Sequence, residues 1–145
     1  MNALELIRGF RWPMLLALVI VSPWAMAAND HVVDVSLWIS GEPYEVDTPV
    51  SLTDGKGALE VPNSHRLTFE LEPVEDASAP AGSVWLTVGV SRWNDVEQSW
   101  EHVTESLLGG PMGRSQKLSL SQPGADATPQ DAEVYLITTV HPKGQ

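Results

Sequence analysis

The histidine, serine and carboxylate side chains of this chain could do chemistry, but their spacing matches no catalytic or metal-binding motif. The four histidines, at positions 31, 65, 102 and 141, lie more than 30 residues apart, and the chain has no cysteine. A zinc site needs three or four converging ligands, usually including a close pair. The serines form neither Gly-x-Ser-x-Gly nor Ser-x-x-Lys. We therefore predict a non-catalytic protein that uses no metal and no cofactor.

The glycine-rich stretch at residues 109–113 is the nearest approach to a phosphate-binding loop. It lacks the Lys-Ser/Thr ending of such loops, and Pro111 removes a backbone donor that they need. We interpret the stretch as a turn.

Tryptophans form the one interaction surface that the sequence predicts. Alternation along the chain places Trp38, Trp85 and Trp93 opposite runs of aliphatic residues. If the aliphatic residues fill a core, these three rings lie on an outer surface, where a large aromatic ring usually has a partner. Two interpretations stay open: the rings bind a ligand or partner, or an outer loop such as residues 73–82 covers them.

In the segments that carry these rings, apolar and polar residues alternate with a period of two. This pattern is typical of strands with one buried face. Alternation runs through five segments and is shorter at residues 50–52 and 58–61, with a tight turn predicted at residues 54–57. The five segments are residues 32–39, 66–72, 84–91, 117–121 and 134–140. We predict an all-β fold, a two-layer β-sandwich of seven or eight antiparallel strands, with at most one short helix at residues 95–108.

Residues 94–110 allow two interpretations. As a helix, the segment would begin at Asn94, with Glu97 completing a capping box and Gly109 ending it. As a hairpin, it would turn after Asn94 and set Trp93 opposite Trp100.

The order of long strand, loop, short elements and long strand occurs twice, in residues 31–74 and 83–142. It arises by internal duplication or by chance in a generic β protein. Duplication favours the hairpin, because the matching segment of the first half holds Pro43 and Pro49. The polar loops at residues 73–82 and 121–131 are long enough to cross between sheets.

Residues 1–27 have the layout of a cleaved export signal. Arg8 and Arg11 precede an apolar run at residues 15–21, and the small residues Ala25 and Ala27 fit the positions before a cleavage site. The apolar stretch is shorter than the ~20 residues that span a bilayer. We predict a mature protein that begins at Ala28, forms one domain over residues 28–145, and is periplasmic or secreted with no membrane span.

The predicted mature chain is acidic, with six basic and 18 acidic residues and a formal charge of −12. Nucleic acid needs clustered Lys or Arg, so it is excluded as a partner. The sequence thus predicts a non-catalytic binding or accessory module that contacts a protein partner through Trp38, Trp85 and a strand edge. The alternative is a carbohydrate-binding module that stacks envelope glycans on the same tryptophans.

Overall fold

A computed structural model describes residues 31–121, 124 and 127–143. The predicted export signal and its cleavage site lie outside the described residues. Within these residues, nine strands follow one another and no helix forms, so none is long and apolar enough to cross a membrane. The strands are β1 (His31–Ile39), β2 (Glu42–Tyr44), β3 (Val50–Leu52), β4 (Lys56–Val61), β5 (His65–Pro73), β6 (Ser83–Asn94), β7 (Ser99–Pro111), β8 (Gln116–Leu120) and β9 (Val134–Pro142).

The strands form two antiparallel sheets, which confirms the predicted all-β sandwich. Sheet A has the order β2-β1-β9-β8, with β3 also pairing β1, and sheet B has the order β4-β5-β6-β7. The aliphatic positions of the alternating segments face inward and form one core between the sheets. Its most completely buried apolar side chains are Val33, Leu37, Leu67, Phe69, Val88, Val90, Val134 and Leu136.

The strand β2 is the element beyond the predicted seven or eight. The sequence indicated a loop there because of Pro43, but Pro43 lies in β2 and pairs with Trp38. Proline has no backbone N–H, so it is tolerated on an edge strand, one side of which needs no ladder partner.

The helical interpretation of residues 95–108 is wrong, and the hairpin is correct. Strands β6 and β7 pair along their whole length, with Trp93 opposite Trp100. The helix-capping signal at Asn94 reflects a real local contact, since its Oδ1 accepts hydrogen bonds from the N–H groups of Val96 and Glu97. Here those bonds close a turn at the end of a hairpin instead of starting a helix.

The two long loops do not cross between sheets as expected. Residues 73–82 join neighbouring strands of sheet B, and residues 121–131 join neighbouring strands of sheet A. The crossings are short: the turn at Asp54 and Gly55, both with positive φ, and the segment after Pro111. Residues 109–111 belong to β7 and not to a turn.

The strand pairings have the order that a duplication would give, although the duplication itself stays a prediction. Strand β1 of the first half pairs with β9, the last strand of the second half. In the other sheet, β6 begins the second half and pairs with β5, which ends the first. Under this correspondence β1 matches β6, so Trp38 and Trp85 belong to matching strands in opposite sheets.

Candidate functional site

The indole of Trp85 lies against the backbone of Gly109 on the outer face of sheet B. The two residues are direct partners in the β6–β7 pair. A Cβ atom built on Gly109 would overlap the ring carbons Cζ3 and Cε3 of Trp85. Glycine therefore lets the ring lie down on the sheet, while 40% of the residue remains exposed. Alternation requires this outward direction, because Val84 and Leu86 on either side are buried in the core.

A second exposed apolar side chain lies beside this ring. Leu107 is 59% exposed and precedes Gly109 by two residues on the same face of β7. On the other side of Trp85, Glu72 is its direct partner in β5, and Glu70 is the next outward residue along that strand. We call Trp85, Leu107 and Gly109 the Trp85 surface. It is apolar and has carboxylates along one border.

A groove of about 520 Å³ runs from this surface to the β5–β6 loop. Val74, Ala79, Pro80 and Pro111 supply apolar walls, and Glu75 lies on the loop side. Two other polar side chains of the groove make hydrogen bonds within the loop. Asp76 Oδ1 accepts hydrogen bonds from Ser78 N–H and Oγ, which lower the pKa of the Asp76 carboxyl, and Ser83 Oγ donates to the Pro80 carbonyl.

Trp93 lies at the far end of the same strand, in a packed aromatic pair. Its ring contacts Trp100 edge to face at 5.1 Å, and the Arg66 guanidinium lies 5.1 Å from the Trp100 ring centroid. Trp93 Nε1 donates to Asp95 Oδ1 at 2.9 Å. Both tryptophans are half-buried, so much of their surface is used within the hairpin.

Trp38 lies in sheet A and so on the opposite side of the sandwich from Trp85. Its ring contacts Tyr135 of β9 edge to face, with centroids 5.6 Å apart and planes at 81°. The structure therefore does not bring Trp38 and Trp85 into one patch. One flat partner surface cannot contact both rings, because the two outer faces point in opposite directions.

A charged cluster that sequence analysis missed joins the two sheets. His65 and Arg92 are direct partners in sheet B, and Glu133 precedes β9 of sheet A. His65 Nε2 lies 2.9 Å from Glu133 Oε2, and Arg92 donates to both carboxylate oxygens, with Nη2 at 2.6 Å from each. The sequence held no signal for it, because the three residues meet only when the sheets pack.

Electrostatics favour an ionised Glu133. Partial burial raises the pKa of its carboxyl, but hydrogen bonds and charge from Arg92 and His65 outweigh burial and bring the pKa below the ordinary value. His65 is buried, and its other nitrogen, Nδ1, is 2.8 Å from Ser64 Oγ. Both ring nitrogens of His65 and both carboxylate oxygens of Glu133 are engaged. We therefore interpret the cluster as a structural contact that holds the two sheets together.

Metal-ligating side chains do not converge in the part of the chain that the structure describes. His141 is in contact with Asp34 at 2.8 Å across strands β9 and β1, but no third ligand among the described residues joins them.

Comparison of the chain with family models, with curated proteins and with solved structures finds no significant match in any of the three.

Proposed function

We propose that the chain is a small exported, non-catalytic binding or accessory module that contacts a protein partner through the Trp85 surface. The observation that carries this proposal is an indole that is 40% exposed, lies on a glycine and borders an apolar groove. Tryptophan at the centre of an interface is among the residues that contribute most to binding energy. A ring already held against the backbone also loses little conformational freedom when it binds.

The chemistry of the groove favours a partner protein that inserts a segment with apolar and basic side chains. Its walls are mainly apolar, and its border is acidic at Glu72 and Glu75. The predicted mature chain has a formal charge of −12, which would attract a basic partner.

Carbohydrate binding is the second candidate, because the exposed part of the Trp85 ring could stack on a sugar. Sugar sites also need polar groups that meet hydroxyls. In this groove the Asp76 and Ser83 side chains make hydrogen bonds within their own loop. Among the carboxylate and hydroxyl side chains that line the groove, this leaves Oδ2 of Asp76 and the Glu75 carboxylate to meet sugar hydroxyls. Both only accept hydrogen bonds, and so small a polar set favours the protein partner over the glycan.

Site-specific photo-crosslinking in living cells tests the proposal. A benzophenone amino acid replaces the exposed Leu107, and a matched control replaces the exposed Ser51 in β3 of the other sheet. We expect a protein adduct of defined mass from position 107 only, and its loss when Trp85→Ala is added. Equal adducts at both positions, or none at 107, would contradict a protein-binding Trp85 surface. A change of tryptophan fluorescence with envelope glycan fragments, without an adduct, would favour the carbohydrate alternative.

The roles of Trp38 and Trp93 stay predictions. Each is tested by its own alanine variant in the same crosslinking assay. Because Trp38 lies on the other outer face, an effect of Trp38→Ala on the adduct at 107 would indicate a partner that wraps around the sandwich.

A further inference from the structure

A second hollow, on the inner side of the β5–β6 loop, lies between the two sheets at one end of the sandwich. Its volume is about 440 Å³, which is within the range of small-molecule sites, roughly 300–1,000 Å³. Leu71, Val84 and Met112 line its floor, and all three also pack against or belong to the hydrophobic core. Val74, Ala81 and other small apolar residues of the loop form the cover. The hollow is thus an apolar opening onto the core. It shares Val74, Asp76, Ala79, Pro80 and Ser83 with the groove beside the Trp85 surface, but Trp85, Leu107 and Gly109 do not line it.

The polar lining of this hollow is sparse and carries one sign of charge. Among the described residues that line it, Asp76 is the one acidic side chain, and no lysine or arginine is present. Ser78 donates both of its hydrogen bonds to Oδ1 of Asp76, so Oδ2 can accept from a ligand. The Ser83 hydroxyl is engaged by the Pro80 carbonyl. His31 also contributes to the wall, and its Nδ1 has no hydrogen-bond partner among the described residues.

We infer that this end cavity binds a small amphiphile with an apolar body and a cationic head group. The apolar body occupies the space over Leu71, Val84 and Met112. The head group lies at the mouth, where it pairs with the Asp76 carboxylate. An anionic amphiphile of the same length fits the walls equally well, but Asp76 repels its head group.

Fluorescence of N-phenyl-1-naphthylamine with the purified exported protein tests this inference. This neutral dye brightens in apolar sites, and we expect saturable binding to one site per chain. Decylamine should displace it at concentrations about two- to fivefold lower than decanoate, the range that one exposed charge pair gives. Asp76→Asn should reduce that difference and leave dye binding intact.

Two variants of one loop locate the site. Ala81 and Ala77 are both exposed, but Ala81 lines the hollow and Ala77 does not. Ala81→Trp should weaken dye binding, whereas Ala77→Trp should not, and unchanged melting temperatures show that both variants fold. Trp85→Ala should bind the dye normally, which separates this inference from the proposed function. Absence of saturable binding, equal displacement by the two amphiphiles, or equal effects of the two tryptophan variants would overturn it.

Discussion

Trp85 and Gly109 are direct cross-strand partners, and the indole occupies the space that a side chain at position 109 would need. Gly109→Ala should therefore lift the ring off the sheet and increase its exposure. We expect stronger quenching of tryptophan fluorescence by acrylamide and weaker partner binding. In a Trp85→Ala background the clash is gone, so Gly109→Ala should then be close to neutral. A double-mutant cycle of unfolding free energies measures this coupling, and strict additivity of the two changes would contradict the packing of the ring on Gly109.

The position of Gly109 opposite Trp85 shows where sequence reasoning ends. The hairpin interpretation pairs Trp93 with Trp100, and that register continued without interruption would set Leu108 opposite Trp85. A β-bulge between Val90 and Ser91 shifts the register by one residue. Because the side-chain period of a strand is two, this shift brings Leu107 and Gly109 to the outer face. Alternation predicted the core and the outward direction of Trp85, but it held no signal for the bulge.

The sequence also could not predict contacts between residues that are far apart in the chain. Alternation predicts which face of a strand is buried, but not which strands pair or where loops cross between sheets. The ion cluster of His65, Arg92 and Glu133 depends on that pairing. Nothing in the local sequence of Glu133 distinguishes it from the other acidic residues.

Stability should depend on pH through Glu133. Its pKa is lowered in the folded state, so the unfolded chain binds the proton more readily as the pH falls. The stabilisation is fully present above the ordinary value of 4.5 and is lost as the pH falls through the lower, folded value. Glu133→Gln should therefore lower the melting temperature at pH 7 and flatten its decline below pH 4.5. Thermal melts from pH 7 to pH 3 measure this, with the exposed Glu105→Gln as the control. If the melting temperature of Glu133→Gln falls with pH in parallel with that of wild type, the cluster around Glu133 does not contribute to the pH dependence of stability.

The hairpin turn should depend on Asn94. Its side chain accepts from the N–H groups of Val96 and Glu97 and donates to Glu101. Asn94→Ala removes these hydrogen bonds and should destabilise the protein by about 1 kcal/mol. The loss stays small because the turn is exposed, so that water can accept hydrogen bonds from the N–H groups of Val96 and Glu97. Val96 is 93% exposed, so Val96→Ala should change stability by less than about 0.5 kcal/mol. Chemical denaturation compares the two, and equal effects would contradict the structural role of Asn94.

We predict that export releases a chain that begins at Ala28. Small residues at positions 25 and 27 favour cleavage after Ala27. N-terminal sequencing of the exported material checks this directly. A chain that still begins at Met1 would contradict cleavage and, with it, release from the membrane.

The central claim, that Trp85 binds a partner and does not support the fold, is tested most directly by one paired measurement on Trp85→Ala. The dissociation constant for the protein captured at position 107 and the free energy of unfolding are determined for wild type and variant. We predict a loss of affinity of ~2 kcal/mol or more, which is about 30-fold. We also predict a loss of stability well below the ~3–5 kcal/mol that truncating a core tryptophan costs. An unchanged dissociation constant, or a loss of stability in the core range, would contradict the claim.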